Sequence, residues 1–186
     1  MQNKLKSNFG VDYLVDYRDI KYPRLEFKTG NLLLVLPAGY ADETKLIESH
    51  NKWIKVRNSQ ILDALKLSEE IDLNTKRTED QLKGFVNEIA KANIDELQLA
   101  LKNIIFKPMK SKWASCSSKG NLTVNLLLKY LPEDLIKYVI YHEITHLKEK
   151  RHNSRFWKMI EEKFKDYQEK EKQLFVYWFS IQNRSR

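Results

Sequence analysis

Cysteine is almost absent from this 186-residue sequence, and its single instance, Cys116, excludes an intramolecular disulfide. Long apolar runs are also lacking. The longest, Leu32 to Leu36 ahead of Pro37, is far shorter than the ~20 residues that a membrane-spanning helix needs. The opening residues, MQNKLKSNFG, lack the apolar stretch of a secretory signal. These absences predict a soluble cytoplasmic protein with no membrane segment.

Acidic residues are missing from one part of the chain. No Asp or Glu occurs between Glu96 and Glu133, whereas six lysines stand there: Lys102, Lys107, Lys110, Lys112, Lys119 and Lys129. Most of the formal net charge of +8 therefore comes from this segment. A local positive charge favours an anionic ligand, such as a nucleotide or a nucleic acid, although lysine-rich surfaces are more often simply solvated.

Extended segments are predicted in the N-terminal part of the chain and again before residue 130. Strand-forming residues dominate 11–16 and 25–36, with a hairpin turn at Lys28–Asn31. Two further strands, separated by a loop, are predicted at Ile104–Phe106 and Asn121–Leu126.

Helical spacing of apolar residues begins at Asp42 and again at about Glu79, with Asn58 as a candidate break point in the first helix. No repeat, low-complexity tract or flexible linker marks a domain boundary. The pattern predicts an α+β fold. An N-terminal antiparallel β-sheet and a long helix would occupy 1–78, and a metal-hydrolase core would occupy 79–186, in one compact unit.

The chemistry-bearing motif is HExxH, formed by His142, Glu143 and His146 on a helix predicted to begin near Pro132. The spacing of four residues puts both imidazoles on one helix face, where they can bind one metal ion. Glu143 lies just off that face, in a position suited to a carboxylate that contacts a metal-bound water. These polar groups flank an apolar stripe, and a shared metal would satisfy them there.

A third protein ligand has to come from beyond that helix. His152 follows the second HExxH histidine by six residues, which on a continuous helix would turn it roughly 120° away from the ion. The sequence predicts that the helix ends first and that Asn153 caps a new one. His152 is the preferred third ligand, and Glu161 or Glu162 of the new helix is the alternative.

Three protein ligands leave zinc an open fourth position for a water molecule, whose pKa falls to about 7. Glu143 can then accept the proton of that water and pass it to a leaving group. The predicted chemistry is hydrolysis that depends on one Zn²⁺ per chain, or on another divalent metal.

Several short motifs together carry a family resemblance. They are Lys112-Trp113-x-Ser115-Cys116-Ser117, Asn125-x-x-Leu128 with Pro132, Tyr138-Val139-Ile140-x-His142-Glu143-x-x-His146-Leu147, and His152-x-x-x-Phe156-Trp157. On these residues the chain resembles the YgjP-like zinc metallopeptidase family, relatives of the SprT-like and minigluzincin proteins. The resemblance implies a zincin-like core around the HExxH helix, with His142, His146 and His152 as metal ligands and Glu143 as the general base.

The resemblance also concerns the segment before the active-site helix. Ala114 stands where the family usually has glycine, and it would be strained if that glycine requires a positive φ. In zincins the strand before the active helix lines the cleft, which would place the lysine-rich segment beside the substrate. Cys116 is predicted to be a small buried residue rather than a nucleophile. The predicted substrate contacts are Lys110, Lys112, Trp113 and Asn125, and Trp113 also suits packing.

Three functions remain open on the sequence alone. The first is a zinc-dependent peptidase in which the water activated by Glu143 attacks a peptide bond of an extended polypeptide. The second, motivated by the lysine segment and by an activity proposed for YgjP-like proteins, is a metal-dependent nucleoside triphosphate (UTP) pyrophosphatase. The third is a nucleic-acid-associated module with a structural metal, which would require a fourth protein ligand.

Overall fold

The computed structural model describes residues 5–8, 10–28 and 31–184. These described residues form seven β-strands, five α-helices and one 3-10 helix. They belong to two compact units, Met1–Glu69 and Glu70–Arg186. The α+β class predicted from the sequence is confirmed. Among the described residues, no helix combines the length and the apolar character that crossing a membrane requires.

The first unit is a four-stranded sheet followed by one long helix. The elements are β1 (Lys6–Asn8), β2 (Val11–Arg18), β3 (Arg24–Lys28), β4 (Asn31–Pro37) and α1 (Glu43–Ser68). The strands lie in the order β1-β2-β4-β3. Alternate buried side chains of β2 and β4 form one apolar cluster with Leu46, Ile47 and Ile54 of α1.

The predicted antiparallel sheet is wrong in one pairing, because β2 and β4 run parallel. The pairs β1–β2 and β3–β4 are antiparallel. In β4 the side chains from Leu32 to Leu36 are all buried, so this strand is best placed at the centre of the sheet. The β3–β4 hairpin inserts it beside β2 in the same direction. Lys28 pairs with Asn31, and the turn residues Thr29 and Gly30 lie outside the described residues.

Helix α1 begins where the sequence predicts and continues without the break considered at Asn58. The side chain of Asp42 accepts a hydrogen bond from the Lys45 backbone nitrogen at 3.1 Å, which caps the first turn. The buried face continues past Asn58 from Ile54 to Ile61, and this packing keeps the helix intact.

The second unit holds a three-stranded sheet, four α-helices and one 3-10 helix among its described residues. The elements are α2 (Glu79–Leu97), β5 (Asn103–Lys107), β6 (Ala114–Cys116), β7 (Asn121–Asn125), a 3-10 helix (Leu126–Tyr130), α3 (Glu133–Thr145), α4 (Ser154–Lys163) and α5 (Tyr167–Arg184). The sheet order is β5-β7-β6, with β5 parallel to β7 and β6 antiparallel to it.

The segment 70–78, which the sequence pattern grouped with the N-terminal part, belongs to this second unit. Leu73 is buried in the core of the unit. The backbone nitrogen of Asn74 donates to the Tyr130 carbonyl at 3.1 Å. The guanidinium of Arg77 donates to the Leu131 carbonyl at 2.6 Å. These contacts hold the approach to α2 against the residues that precede α3.

Helix α3 is the central element of the second unit, since α2, β6, α4 and α5 all contact it. Ile136, Ile140 and Ile144 are completely buried, as the predicted apolar stripe requires. The HExxH motif occupies the last turn of this helix, so its polar groups stand at the edge of the core.

Asn125 is the fully buried polar residue that ties the sheet to the chain before β6. Its side-chain nitrogen donates to the carbonyls of Met109 at 2.9 Å and Lys112 at 2.7 Å. Its side-chain oxygen accepts from the backbone nitrogens of Met109 at 3.3 Å and Leu127 at 3.2 Å. All four hydrogen-bonding positions of the amide are therefore used within the protein.

We expect Asn125→Ala to lower the free energy of unfolding of the metal-free protein by roughly 3 kcal/mol, since it leaves several buried backbone groups unpaired. Urea unfolding followed by tryptophan fluorescence would measure this, because Trp113, Trp157 and Trp178 lie in the second unit. Asn103→Ala is the matched control, as it removes an amide hydrogen bond at an exposed site. Equal losses for the two variants would contradict the role assigned to Asn125.

Candidate metal centre

Three histidine side chains meet at the end of α3. The Nε2 atoms of His142 and His152 lie 3.0 Å apart. One ring nitrogen from each of these residues and from His146 lies within 4.8 Å of the other two. Tetrahedral ligands at the usual zinc–nitrogen distance would be separated by about 3.3 Å. The three nitrogens fit one divalent metal ion, and the described part of the chain holds no other such group.

The chain reversal after α3 brings His152 back to the other two histidines. Helix α3 ends at Thr145, and the backbone nitrogen of Glu149 still donates to the Thr145 carbonyl at 3.0 Å. Helix α4 then begins at Ser154, where the Asn153 side chain accepts from the Phe156 nitrogen at 3.0 Å. The predicted helix end and the predicted cap at Asn153 are both confirmed.

Aromatic side chains from the first turn of α4 support the histidine rings. The ring of Phe156 is stacked on His146, with centroids 4.7 Å apart, and meets His142 edge-on at 4.9 Å. Trp157 is stacked on His152 at 5.5 Å. Since Phe156 is fully buried, these contacts restrict the orientations of the imidazoles before any metal binds.

Glu143 is held beside the histidines by a strand backbone. The backbone N–H of Cys116 in β6 donates to its Oε2 at 2.9 Å. The second oxygen, Oε1, has no hydrogen-bond partner among the described residues. The carboxylate is therefore fixed through one oxygen and can receive a proton on the other.

Burial sets the protonation of the site. Burial, together with smaller effects of the neighbouring His146 and His152, lowers the pKa of His142 to about 3. The pKa of His152 is also lowered, again chiefly by burial. Neutral imidazoles are the form that binds a metal. Burial raises the pKa of Glu143, against the opposing effects of His146 and Lys112.

The alternative third ligands are not brought to this site. Glu161 and Glu162 are exposed on α4 and do not belong to the group of candidate ligand atoms. Glu162 instead lines a separate cleft with Tyr141 and Arg155. The donor set in the structure is therefore the three histidines.

The predicted substrate contacts have different surroundings. Lys112 is exposed, and its charge acts on the pKa of Glu143. Lys110 is also exposed. Trp113 packs edge-on against Trp178 at 5.0 Å, which is the packing role foreseen as its alternative. The prediction that Asn125 contacts the substrate is wrong, because its buried amide is fully used in holding 109–112.

The segment before β7 contains Ala114 and Cys116, for which the sequence led to expectations about backbone strain and reactivity. Ala114 lies in β6, opposite Val124, and its φ is not positive, so it replaces the usual glycine without backbone strain. Cys116 is partly buried, and burial raises the pKa of its thiol to about 11. A thiol with that pKa is protonated near neutral pH, as expected for a residue that is not a nucleophile.

Sequence reasoning missed three groups around the histidines. The carbonyl of Glu149 lies 3.0 Å from His146 Nδ1. The hydroxyl of Tyr138 donates to Glu171 Oε1 at 2.5 Å, and the same oxygen lies 3.7 Å from His142 Nδ1. The spacing of four residues between Tyr138 and His142 could have indicated a shared helix face. Nothing local could have indicated Glu171, which comes from α5.

Comparison with known structures finds several matching chains, among them two metallopeptidase zymogens of archaea, each a partial likeness. Abylysin from Pyrococcus abyssi is 29% identical, with a TM-score of 0.38 over 41% of this chain and 76% of its own. Jannalysin from Methanocaldococcus jannaschii is 29% identical, with a TM-score of 0.43 over 49% of this chain and 92% of its own. No curated protein matches the chain.

The family comparison covers more than half of the chain. The model of the YgjP-like metallopeptidase domain matches residues 69–176, a range that contains the three histidines, Glu143 and β6. The sequence resemblance is confirmed by this match. The chain is a metal-dependent hydrolase and belongs to the YgjP-like metallopeptidase family.

Proposed function

We propose that this protein is a zinc-dependent peptidase in which Glu143 is the general base. The observation that carries the proposal is the placement of the Glu143 carboxylate beside three convergent histidine nitrogens, with one carboxylate oxygen anchored on the Cys116 N–H. Zinc is the proposed ion, because an all-imidazole set with three protein ligands is typical of catalytic zinc sites. His142, His146 and His152 would hold it.

A zinc ion bound by three ligands supplies Lewis acidity to the attacked carbonyl and makes a water molecule more acidic. The residues of the chain supply the proton transfer. Glu143 Oε1 accepts a proton from the attacking water and then passes it to the leaving nitrogen. Because burial raises the pKa of Glu143, its carboxyl holds the transferred proton more readily than an exposed glutamate would.

The free edge of β6 supports a polypeptide substrate. The Trp113 carbonyl and the Ser117 nitrogen bond to residues of β7, whereas the Cys116 nitrogen points to Glu143. Backbone groups alternate in direction along a strand, so those of Ala114 also face outward on the side of Glu143. An extended peptide can pair with this edge and bring its carbonyl group to the site.

A nucleotide substrate is the second candidate, and one observation favours it. The charge of the exposed Lys112 reaches Glu143, so an anionic group could be bound beside the histidines. In this form the protein would be a nucleoside triphosphate pyrophosphatase acting on UTP. Nucleic-acid association with a structural metal is less well supported, because the group of candidate ligands has three members among the described residues instead of four.

His152→Ala should lower zinc affinity by more than about 100-fold, because two imidazoles cannot complete the site. Competition with a chromophoric zinc chelator would measure this. Glu161→Gln is the matched control and should bind zinc like the unchanged protein, since Glu161 is exposed on α4. If the control loses zinc while His152→Ala retains it, the third ligand is misassigned.

Glu143→Gln should retain zinc and lose peptide cleavage by roughly 10²- to 10⁴-fold, because the amide cannot accept the proton. A quenched-fluorescent library of unstructured decapeptides would be incubated with zinc-loaded protein, and Glu162→Gln would serve as the control for a distant carboxylate.

The same preparations would be assayed for pyrophosphate release from UTP. Release that disappears in Glu143→Gln and falls in Lys112→Ala, with no peptide cleaved by the unchanged protein, would replace the first proposal by the second. Cleavage of peptides that is equal in Glu143→Gln and the unchanged protein would refute the general-base role.

A further inference from the structure

We propose that Glu171 is a positioning residue for His142, accepting a hydrogen bond from its Nδ1–H, and that Tyr138 holds the Glu171 carboxylate in place for this purpose. The inference rests on the proposed function insofar as His142 is a metal ligand. It assigns a role to α5, which contributes none of the candidate ligands.

The two nitrogens of the His142 ring face different partners. Nε2 lies 3.0 Å from His152 Nε2, on the side where the candidate ligands converge. Nδ1 lies on the opposite side, 3.7 Å from Glu171 Oε1. When the Nε2 lone pair of a neutral imidazole binds a metal, the ring proton must reside on Nδ1. His142 then carries a donor on the side that Glu171 occupies.

That donor is otherwise unsatisfied. His142 Nδ1 is buried and has no hydrogen-bond partner among the described residues. A buried N–H without an acceptor is costly, and a carboxylate at 3.7 Å needs a shift of less than 1 Å to reach hydrogen-bond distance. His146 shows the same arrangement already formed, since its Nδ1 lies 3.0 Å from the Glu149 carbonyl.

Tyr138 explains how the carboxylate is kept in reach. Its ring is fully buried one turn before His142 on α3, with the two ring centroids 5.9 Å apart. Its hydroxyl donates to the same Oε1 atom of Glu171 that faces His142. The Glu171 side chain is otherwise 45% exposed, so this hydrogen bond is what directs one of its oxygens towards the ring.

Glu171 acts through His142 and is not itself a candidate metal ligand. Its oxygens are outside the group of candidate ligand atoms. Its negative charge nevertheless reaches the site, because it adds to the raised pKa of Glu143 and opposes the lowering of the pKa of His152 by burial. An acceptor on Nδ1 fixes the ring orientation and increases the basicity of Nε2, and such partners strengthen metal binding.

The test is zinc affinity of the full chain, measured by chelator competition, together with the visible spectrum of the cobalt-loaded protein. Glu171→Ala should weaken zinc binding by about 10- to 100-fold and shift the cobalt bands. Glu171→Gln should restore much of the affinity, since its carbonyl oxygen is also an acceptor. Tyr138→Phe should cost roughly two- to tenfold. Glu169→Gln, on the exposed side of α5 beside Lys172, is the matched control and should change neither readout.

Three outcomes would contradict the proposed role of Glu171. A Glu171→Ala protein that binds zinc as tightly as the unchanged protein, with the same cobalt spectrum, would overturn this inference and leave the proposed function standing. Equal weakening in Glu171→Ala and Glu171→Gln, with an unshifted cobalt spectrum, would also overturn it, because a loss of folding stability alone would explain that pattern. Unchanged protein that binds no zinc would overturn both proposals.

Discussion

The end of α3 at Thr145 is the constraint on which the rest of the site depends. The four-residue spacing of His142 and His146 uses a continuous helix, whereas the six-residue step to His152 is incompatible with one. The chain satisfies both by stopping the helix immediately after the motif. The capped start of α4 at Asn153 then fixes where the reversal ends. Helical spacing places His142 and His146 on one face, and the helix end followed by the cap at Asn153 returns His152 to them. The three histidines converge because both conditions hold.

Burial of α3 connects the hydrophobic core to the chemistry. The helix is packed by α2, β6, α4 and α5, so its last turn carries the motif out of an apolar interior. Desolvation there lowers the pKa of His142 and raises that of Glu143. The first effect keeps the imidazole neutral and able to bind a metal, and the second increases the proton affinity of the carboxylate. The core that stabilises the helix thus sets the protonation states of both residues.

Features decided within a few residues were predictable from the sequence, and features decided by distant partners were not. The HExxH face, the cap at Asn153 and the helix start at Asp42 depend on local spacing and capping. The parallel pairing of β2 with β4 depends on which strand becomes central, and alternation of residues within one strand does not encode this. Asn125 and Glu171 were misjudged or missed for the same reason. Their partners come from other segments of the chain, and only the folded structure brings these together.

The position of Glu143 depends on backbone geometry more than on its neighbours' side chains. Asn125 holds the carbonyls of Met109 and Lys112, β6 pairs with β7, and the Cys116 N–H then meets the carboxylate. The last contact uses a main-chain donor, so it would survive most side chains at position 116. What it requires is that β6 keep its register, because a shift by one residue would turn that N–H towards β7. Because Asn125 anchors the chain just before β6, a buried amide outside the histidine cluster contributes to the placement of Glu143.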